Sequence, residues 1–484
     1  MSEQILLEPK AVFDCFAEVN KIPRRSKHEE KMIEFLKGFG NKLGLETLVD
    51  ETGNVLIRKP ATKGLEHLKT VILQSHMDMV CEPSDGSFDF DNRPIETIID
   101  GEWMKANGTT LGADDGIGVA IEMAILQASD IEHGPIECVF TRDEETGLTG
   151  AMGMKPGFMT GDLLINLDSE DEGQIFVSCA GGARTTATYP YKATPIPAGY
   201  YCFRIGVKDF KGGHSGDDIN KKRANANKVL VRFLCDEMEK MDLRLIDIQS
   251  GGLHNAIPRE GWAICAVPAD RKEEVRIDLN IYTTAIEEEF SVTEKNFSFT
   301  LESVENQAEG MEQEAARRML LSLRALHNGI FAMSQDLDWL VETSSNLASI
   351  RKNGDQIIVT TSQRSSVPSA RENMSATVRA TFELGGAQAE TNEGYPGWKM
   401  NPNSLLLKVA SASYERLFHK EPKILAIHAG LECGLFSEKY PNLDMVSFGP
   451  TLRGVHSPDE RLLIPTVKMV WEHLLDILKN IPTA

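Results

Sequence analysis

The chain has 484 residues with 51 Lys and Arg against 72 Asp and Glu, a formal net charge of −21, and is 41% hydrophobic and 25% charged. This length exceeds what one core comfortably supports and predicts two or more domains, while the apolar content excludes a disordered chain. The acid excess argues against a phosphate-tracking nucleic-acid binder and against docking on anionic lipid, leaving metal ions, amines and basic ligands as natural partners.

The first residues, MSEQILLEPKAVFDCF, lack a basic segment followed by an apolar run, so no secretory signal is expected. No stretch reaches the roughly 18 apolar residues of a membrane-spanning helix. Eight cysteines are scattered without a C-x-x-C pair, which suits free thiols in a reducing compartment and predicts a cytoplasmic protein.

Strand and helix signals alternate through about residue 180, as in an α/β sheet. Apolar runs predict strands at Thr70–Leu73, Ile136–Phe140 and Leu163–Leu167. Between the first two, Ile117, Ala120, Ile121, Ala124, Ile125 and Ala128 predict an amphipathic helix. From Arg184 to Trp398 the pattern changes, with strands predicted at Tyr201–Val207 and Val275–Tyr282 and helices at Asn225–Met241 and Met311–His327. This predicts an α+β domain, residues 184–398, inserted into a discontinuous one made of residues 1–183 and 399–484. The boundaries rest on Gly181-Gly182 and on Gly394-Tyr395-Pro396-Gly397. A strand at Met445–Phe448 and a helix with Val467, Val470, Trp471, Leu474, Leu475 and Leu478 on one face complete the chain.

Five polar clusters follow strand signals, at the edge where open α/β sheets bind ligands. His76-Met77-Asp78 puts an imidazole and a carboxylate on one face of an extended segment, where Asp78 can orient His76. Asp114-Asp115 opens the amphipathic helix; one Asp suffices as a cap, so the second is surplus. Asp143-Glu144-Glu145 repel one another unless solvated or neutralised by a cation. Asp168 and His456 stand after the third and last strands. Singly, each has an ordinary structural reading; jointly, two His and at least three carboxylates make a mixed N/O shell suited to two divalent metals.

These motifs resemble the M20 family of metallopeptidases, most of all its aminoacyl-histidine dipeptidases, along essentially the whole chain. The resemblance rests on S-H-M-D-M-V at 75–80, L-G-A-D-D-G-I-G at 111–118, T-R-D-E-E-T-G at 141–147, N-L-D-S-E at 166–170, G-G-H-S-G at 212–216, N-A-I-P at 255–258, H-A-G-L-E-C-G at 428–434 and V-H-S-P-D-E at 455–460. It implies a mixed-sheet di-zinc catalytic domain with an inserted α+β lid. His76 and His456 would each bind one zinc (manganese or cobalt being alternatives), Asp114 would bridge, and Glu145 and Asp168 would complete the two shells. Asp115 would support Asp114, Asp78 would orient His76, and Glu144 would be the general base acting on a water ionised by the metals.

The resemblance further implies hydrolysis of dipeptides, Xaa-His and β-alanyl-histidine types included. His214 would stabilise the oxyanion, Asn255 and Arg364 would bind the substrate's C-terminal part, and Gly430 would supply a backbone contact. Without it, Arg364 reads as a charged loop residue and His214 as an ordinary His. A deacylase or carboxypeptidase acting on N-acyl amino acids shares the metal shell and is the alternative; a non-catalytic metal- or peptide-binding protein is a weaker one. An enlarged insert is compatible with a homodimer or with a single chain. Windows drawn around the motifs, 78–102, 114–145 and 162–173, hold 22 acids and 2 bases, so the net charge is concentrated beside them.

Overall fold

A computed structural model describes residues 6–335, 337–428 and 430–483. The chain divides into two compact units: one runs to Ser178 and resumes at Trp398–Ala426 and from Leu431, and the other comprises Cys179–Gly397 with Ile427–Gly430. The last segment lies outside the expected insert of residues 184–398. It groups with the second unit because His428 Nε2 hydrogen-bonds Ser344 Oγ at 2.7 Å and Gly430 abuts the Tyr395 ring.

The first unit is built on a mixed sheet of eight strands, in the order Glu46–Val49, Val55–Lys59, Ile136–Thr141, Val71–His76, Leu163–Asn166, Asp444–Ser447, Gln174–Cys179 and Lys423–Ile427. Its centre is parallel: Val71–His76 pairs in parallel with Ile136–Thr141 and with Leu163–Asn166, which pairs in parallel with Asp444–Ser447. Buried on both faces, these strands show no alternation of exposure, and the polar Glu137 and Asn166 within them are buried with partners, Arg58 and Gln74. The helix Ala113–Gln127 packs on the sheet and is buried almost all round, so it is less amphipathic than its spacing suggests. Ile117, Ile121 and Ile125 are at most 1% exposed, each contributing about 1.5–3 kcal/mol by burial.

The second unit carries an antiparallel sheet whose main path runs Ser298–Ser303, Tyr200–Lys208, Gly261–Pro268, Arg244–Gly251, Val341–Asn353, Gln356–Ser365, Gly181–Pro190 and Gln388–Thr391. Helices Ala226–Met241, Gln313–Ala325 and Pro368–Leu384 bury their apolar faces in its core. Asn225 caps the first of these, accepting the N–H of Lys228.

The strand expected at Val275–Tyr282 is instead part of the helix Lys272–Glu289. Its apolar-polar alternation is incidental: Val275, Leu279 and Ile286 are buried at helical spacing, while Ile277 and Ile281 are 58% and 64% exposed. Two isoleucines on the wet face of a helix imitate the period of a strand.

Candidate metal centre and active site

The parallel strands bring their C-terminal ends to one edge of the sheet. His76 ends Val71–His76, Glu144 and Glu145 open a short helix just past Ile136–Thr141, and Asp168 follows Leu163–Asn166. His456 lies on the turn of the hairpin formed by Leu452–Arg453 and Arg461–Leu463, beyond Asp444–Ser447. Its φ of 61° follows Gly454 at 67°, a left-handed pair that makes the turn.

His76 Nε2 lies 3.1 Å from Asp114 Oδ1 and 3.5 Å from Asp168 Oδ1. His456 Nε2 lies 3.2 Å from Asp114 Oδ2 and 2.9 Å from Glu145 Oε2. Two ligand groups therefore form, His76–Asp114–Asp168 and Asp114–Glu145–His456, sharing Asp114 with one oxygen toward each. Glu144 and Glu145 form a third group with His76. The donor set is two imidazoles and several carboxylates, which suits divalent ions of borderline to hard character. Glu145 Oε1 is buried without a hydrogen-bond partner among the described residues, which leaves it available to a cation.

Asp114 and Asp115 divide the two roles read from their sequence. Both have non-helical backbones, so the helix proper starts after them, and Asp115 Oδ1 accepts the N–H of Gly118 as a cap. Asp114 is left free to face the histidines. The peptide bond between them is cis.

Charge crowding shapes the titration of this site. Burial opposes the His76 imidazolium, but Asp168, Asp114 and Asp78 outweigh it and hold the ring well above its usual pKa. Hydrogen bonds to Asp114 and Glu145 raise His456 to about 11. Burial, with neighbouring acids, raises Asp168 to about 7 and Glu144 well above the carboxylate range. Burial also raises Glu145, whereas in Asp114 the two histidines overcome burial and lower the carboxyl. A cluster of buried acids held together by two imidazolium ions is one that dications can replace.

Supporting residues surround these ligands: Asp78 is expected from the sequence, whereas Ser26, Glu29 and Glu432 are given no role there. Asp78 lies 3.3 Å from His76 Nδ1 and accepts from Ser26 Oγ at 2.7 Å and from the N–H groups of Glu144 and Glu145. Glu29 accepts from the Asp143 N–H and the Arg142 guanidinium. The group Glu29–Asp78–Asp143 also has ligand-like spacing, but N–H and O–H donors already engage its carboxylates. Glu432, in the H-A-G-L-E-C-G segment, accepts from Gln74 and Thr141, and burial raises it to about 7. The detectable sign was an acid inside an otherwise apolar or glycine-rich stretch, which predicts burial with partners but not which partners.

In the second unit, His214 and Asn255 are brought together by a two-residue pairing of Gly213–His214 with Ala256–Ile257, and Ser215 N–H donates to Asn255 O at 2.8 Å. Arg364 Nη2 lies 3.4 Å from His214 Nε2, and Nη1 donates to Tyr395 Oη at 3.0 Å. A Cβ added to Gly430 would stand 2.7 Å from the Tyr395 ring, so this chain segment packs there only as glycine. Arg364 is not in a loop: it lies in the strand Gln356–Ser365 and is 7% exposed. A buried guanidinium with Tyr395 and His214 on its two nitrogens is preorganised for an anionic group.

Residues 72–480 match peptidase family M20/M25/M40. The chain is 42% identical over 483 residues to the cytosol non-specific dipeptidase of Escherichia coli (strain K12), covering 100% of both. The crystal structure of aminoacylhistidine dipeptidase from Vibrio alginolyticus is similar with a TM-score of 0.93 and 41% identity, over 99% of this chain and 98% of that one. An aminopeptidase from Bacillus cereus shares the fold at 17% identity, with a TM-score of 0.58 over 98% and 99% of the two chains.

Proposed function

This chain belongs to peptidase family M20/M25/M40 and is a peptide-bond hydrolase, and we propose that it cleaves free dipeptides, Xaa-His dipeptides of the β-alanyl-histidine type among them. Two relatives of about 41–42% identity over nearly full length, named for non-specific dipeptidase and aminoacylhistidine dipeptidase activity, support that substrate class. The observation that carries the mechanism is Asp114, whose two oxygens face two different histidines. In this reading His76, Asp168 and Asp114 hold one divalent ion, and Asp114, Glu145 and His456 hold a second. When bound, such a pair (zinc, or manganese or cobalt) polarises the scissile carbonyl and lowers the pKa of the attacking water.

The chain's own residues do the rest. Asp78, 3.3 Å from Nδ1, orients the His76 ring by its charge and leaves Nε2 for the ligand position. Glu144, in reach of the centre but outside the two groups that share Asp114, takes the proton of the water on its carboxylate and delivers it to the leaving amine. Arg364 receives the free C-terminal carboxylate of the dipeptide, Asn255 and the backbone at Gly430 fix its orientation, and His214 donates to the carbonyl oxygen as it gains charge. In this reading the metal ligands and the base belong to the first unit and this second set to the other, and the inserted unit serves as a substrate-binding lid.

A cytosolic location is part of the proposal, supported by the name of the E. coli relative and by eight free cysteines. The testing experiment is a panel of dipeptides, tripeptides and N-acetyl amino acids on metal-reconstituted protein. Hydrolysis of dipeptides, with tripeptides and N-acetyl amino acids left intact, is expected; preferential deacylation would overturn the reading.

A further inference from the structure

We propose that Arg24 and Glu460 form a two-sided clamp on the loop 111–114, and that this clamp positions Asp114 to bridge two metal ions. The inference rests on the bridging reading of Asp114 above.

Four consecutive backbone N–H groups of the loop converge on one carboxylate. Glu460 Oε2 accepts from Leu111 at 2.7 Å and Gly112 at 2.9 Å, while Oε1 accepts from Ala113 at 2.7 Å and Asp114 at 3.2 Å. Glu460 is 2% exposed. A run of N–H donors around an anion is a recognised backbone nest, and here the anion belongs to the chain itself. Because Glu460 shares the hairpin turn of His456, one residue fixes the backbone of the shared carboxylate from the element that carries a histidine ligand.

The opposite side of the loop is held by Arg24, 1% exposed and far from any motif in the chain. Its Nη2 donates to Gly112 O at 2.6 Å and its Nη1 to Asp78 O at 3.1 Å, while its own carbonyl accepts the Met79 N–H. One guanidinium thus joins the Asp114 loop to the segment that orients His76. The packing leaves no room for substitution: a Cβ on Gly112 (φ 67°) would stand 2.5 Å from Arg24 Nη2 and 2.8 Å from Met79 Sδ, and one on Gly116 2.6 Å from Arg24 Nη2. The loop's donors face Glu460 and the Gly112 carbonyl faces Arg24, so the backbone that carries Asp114 is held from both sides.

The test is titration of metal-free full-length protein with Co²⁺, following visible absorption and stoichiometry against a competing chelator, beside the melting temperature of the metal-free protein. E460Q is nearly isosteric but offers one acceptor where two are used, turning an NH₂ group against two N–H donors. The expected result is loss of about 10–100-fold in affinity for at least one of the two ions, with a changed Co²⁺ spectrum. R24K, which keeps charge but loses the fork, is expected to act in the same direction and carries the test if E460Q does not fold. Two ions bound by E460Q at wild-type affinity, with only a lowered melting temperature, overturns the clamp, as does failure of both variants to fold, since the pair would then serve the fold alone. D114N separates this from the reading beneath it: wild-type protein binding one ion, or D114N binding two undiminished, overturns the bridge itself.

Discussion

The N–H of Glu144 donates to Asp78 Oδ1 at 3.0 Å. The carboxylate that faces the His76 ring therefore also holds the backbone of the residue assigned as base, and base and ligand cannot move independently. Among the described residues, the Glu144 carboxyl makes no hydrogen bond to the two ligand groups that share Asp114. Glu144→Ala is accordingly expected to retain both metal ions and to lose turnover by about 10²–10⁴-fold, checked by metal content and kcat on the same preparation. Full activity in that variant would remove Glu144 from the mechanism.

Metal uptake should release protons. His456 is raised to about 11 by its hydrogen bonds to Asp114 and Glu145, which favours its imidazolium at neutral pH before metal arrives, and the neighbouring acids shift His76 in the same direction. A ligating imidazole must be neutral, so binding competes with protons and apparent affinity rises with pH through the neutral range. Calorimetry in buffers of different ionisation enthalpy should detect at least one proton released per ion pair at pH 7. Affinity that stayed level between pH 6 and 8 would contradict the ligand assignment.

Glu432 should impose a pH slope on the metal-free protein. Burial lifts its folded pKa to about 7 from an ordinary 4.5, so the folded state holds a proton that the unfolded chain has released between those values. The stability it contributes is present below pH 4.5 and lost as pH rises through 7. Glu432→Gln keeps an acceptor for Gln74 and Thr141 without the ionisable proton. Relative to wild type, its stability should be near equal at pH 4.5 and rise to an advantage on the order of 3 kcal/mol above pH 7, measured by urea unfolding. A difference independent of pH would show that Glu432 does not titrate in this range.

Arg364 should set the requirement for a free C-terminus. Its fork is held by Tyr395 on one nitrogen and stands beside His214 on the other. Arg364→Lys keeps the charge but loses bidentate geometry, and should raise KM for dipeptides by about 10–100-fold, the equivalent of a charge-assisted hydrogen bond worth 1.5–3 kcal/mol. The variant should also lose most of the preference for dipeptides over their C-terminal amides. An unchanged preference would move carboxylate recognition to another residue.

The parallel centre of the first unit was readable because its strands are short apolar runs ending at polar clusters; Val71–His76, Ile136–Thr141, Leu163–Asn166 and Asp444–Ser447 all follow that rule. So was the pairing of roles at Asp114-Asp115, where one residue caps and its neighbour does not. What escaped is of two kinds. Local period misled at 275–282, where eight residues are too few to distinguish a strand from a helix with two exposed isoleucines. Long-range partnership escaped at Arg24, Glu432 and Glu460, whose partners lie far away in the chain, as with Glu460 and the backbone of residues 111–114. Arg364 combines both: a charged residue between Ser and Gln looks wet until a sheet covers it.

The place of Asp444–Ser447 between Leu163–Asn166 and Gln174–Cys179 has a consequence for biosynthesis. A ribosome delivers the chain in order, so the catalytic sheet stays split until residues 444–447 emerge, long after residues 179–397 have left it. The residues of the group His76–Asp114–Asp168 are all synthesised before the inserted unit, whereas Asp114–Glu145–His456 waits for residue 456. A nascent chain can therefore carry the ligands of one half of the candidate metal centre and not of the other, and a two-ion site waits on synthesis of His456.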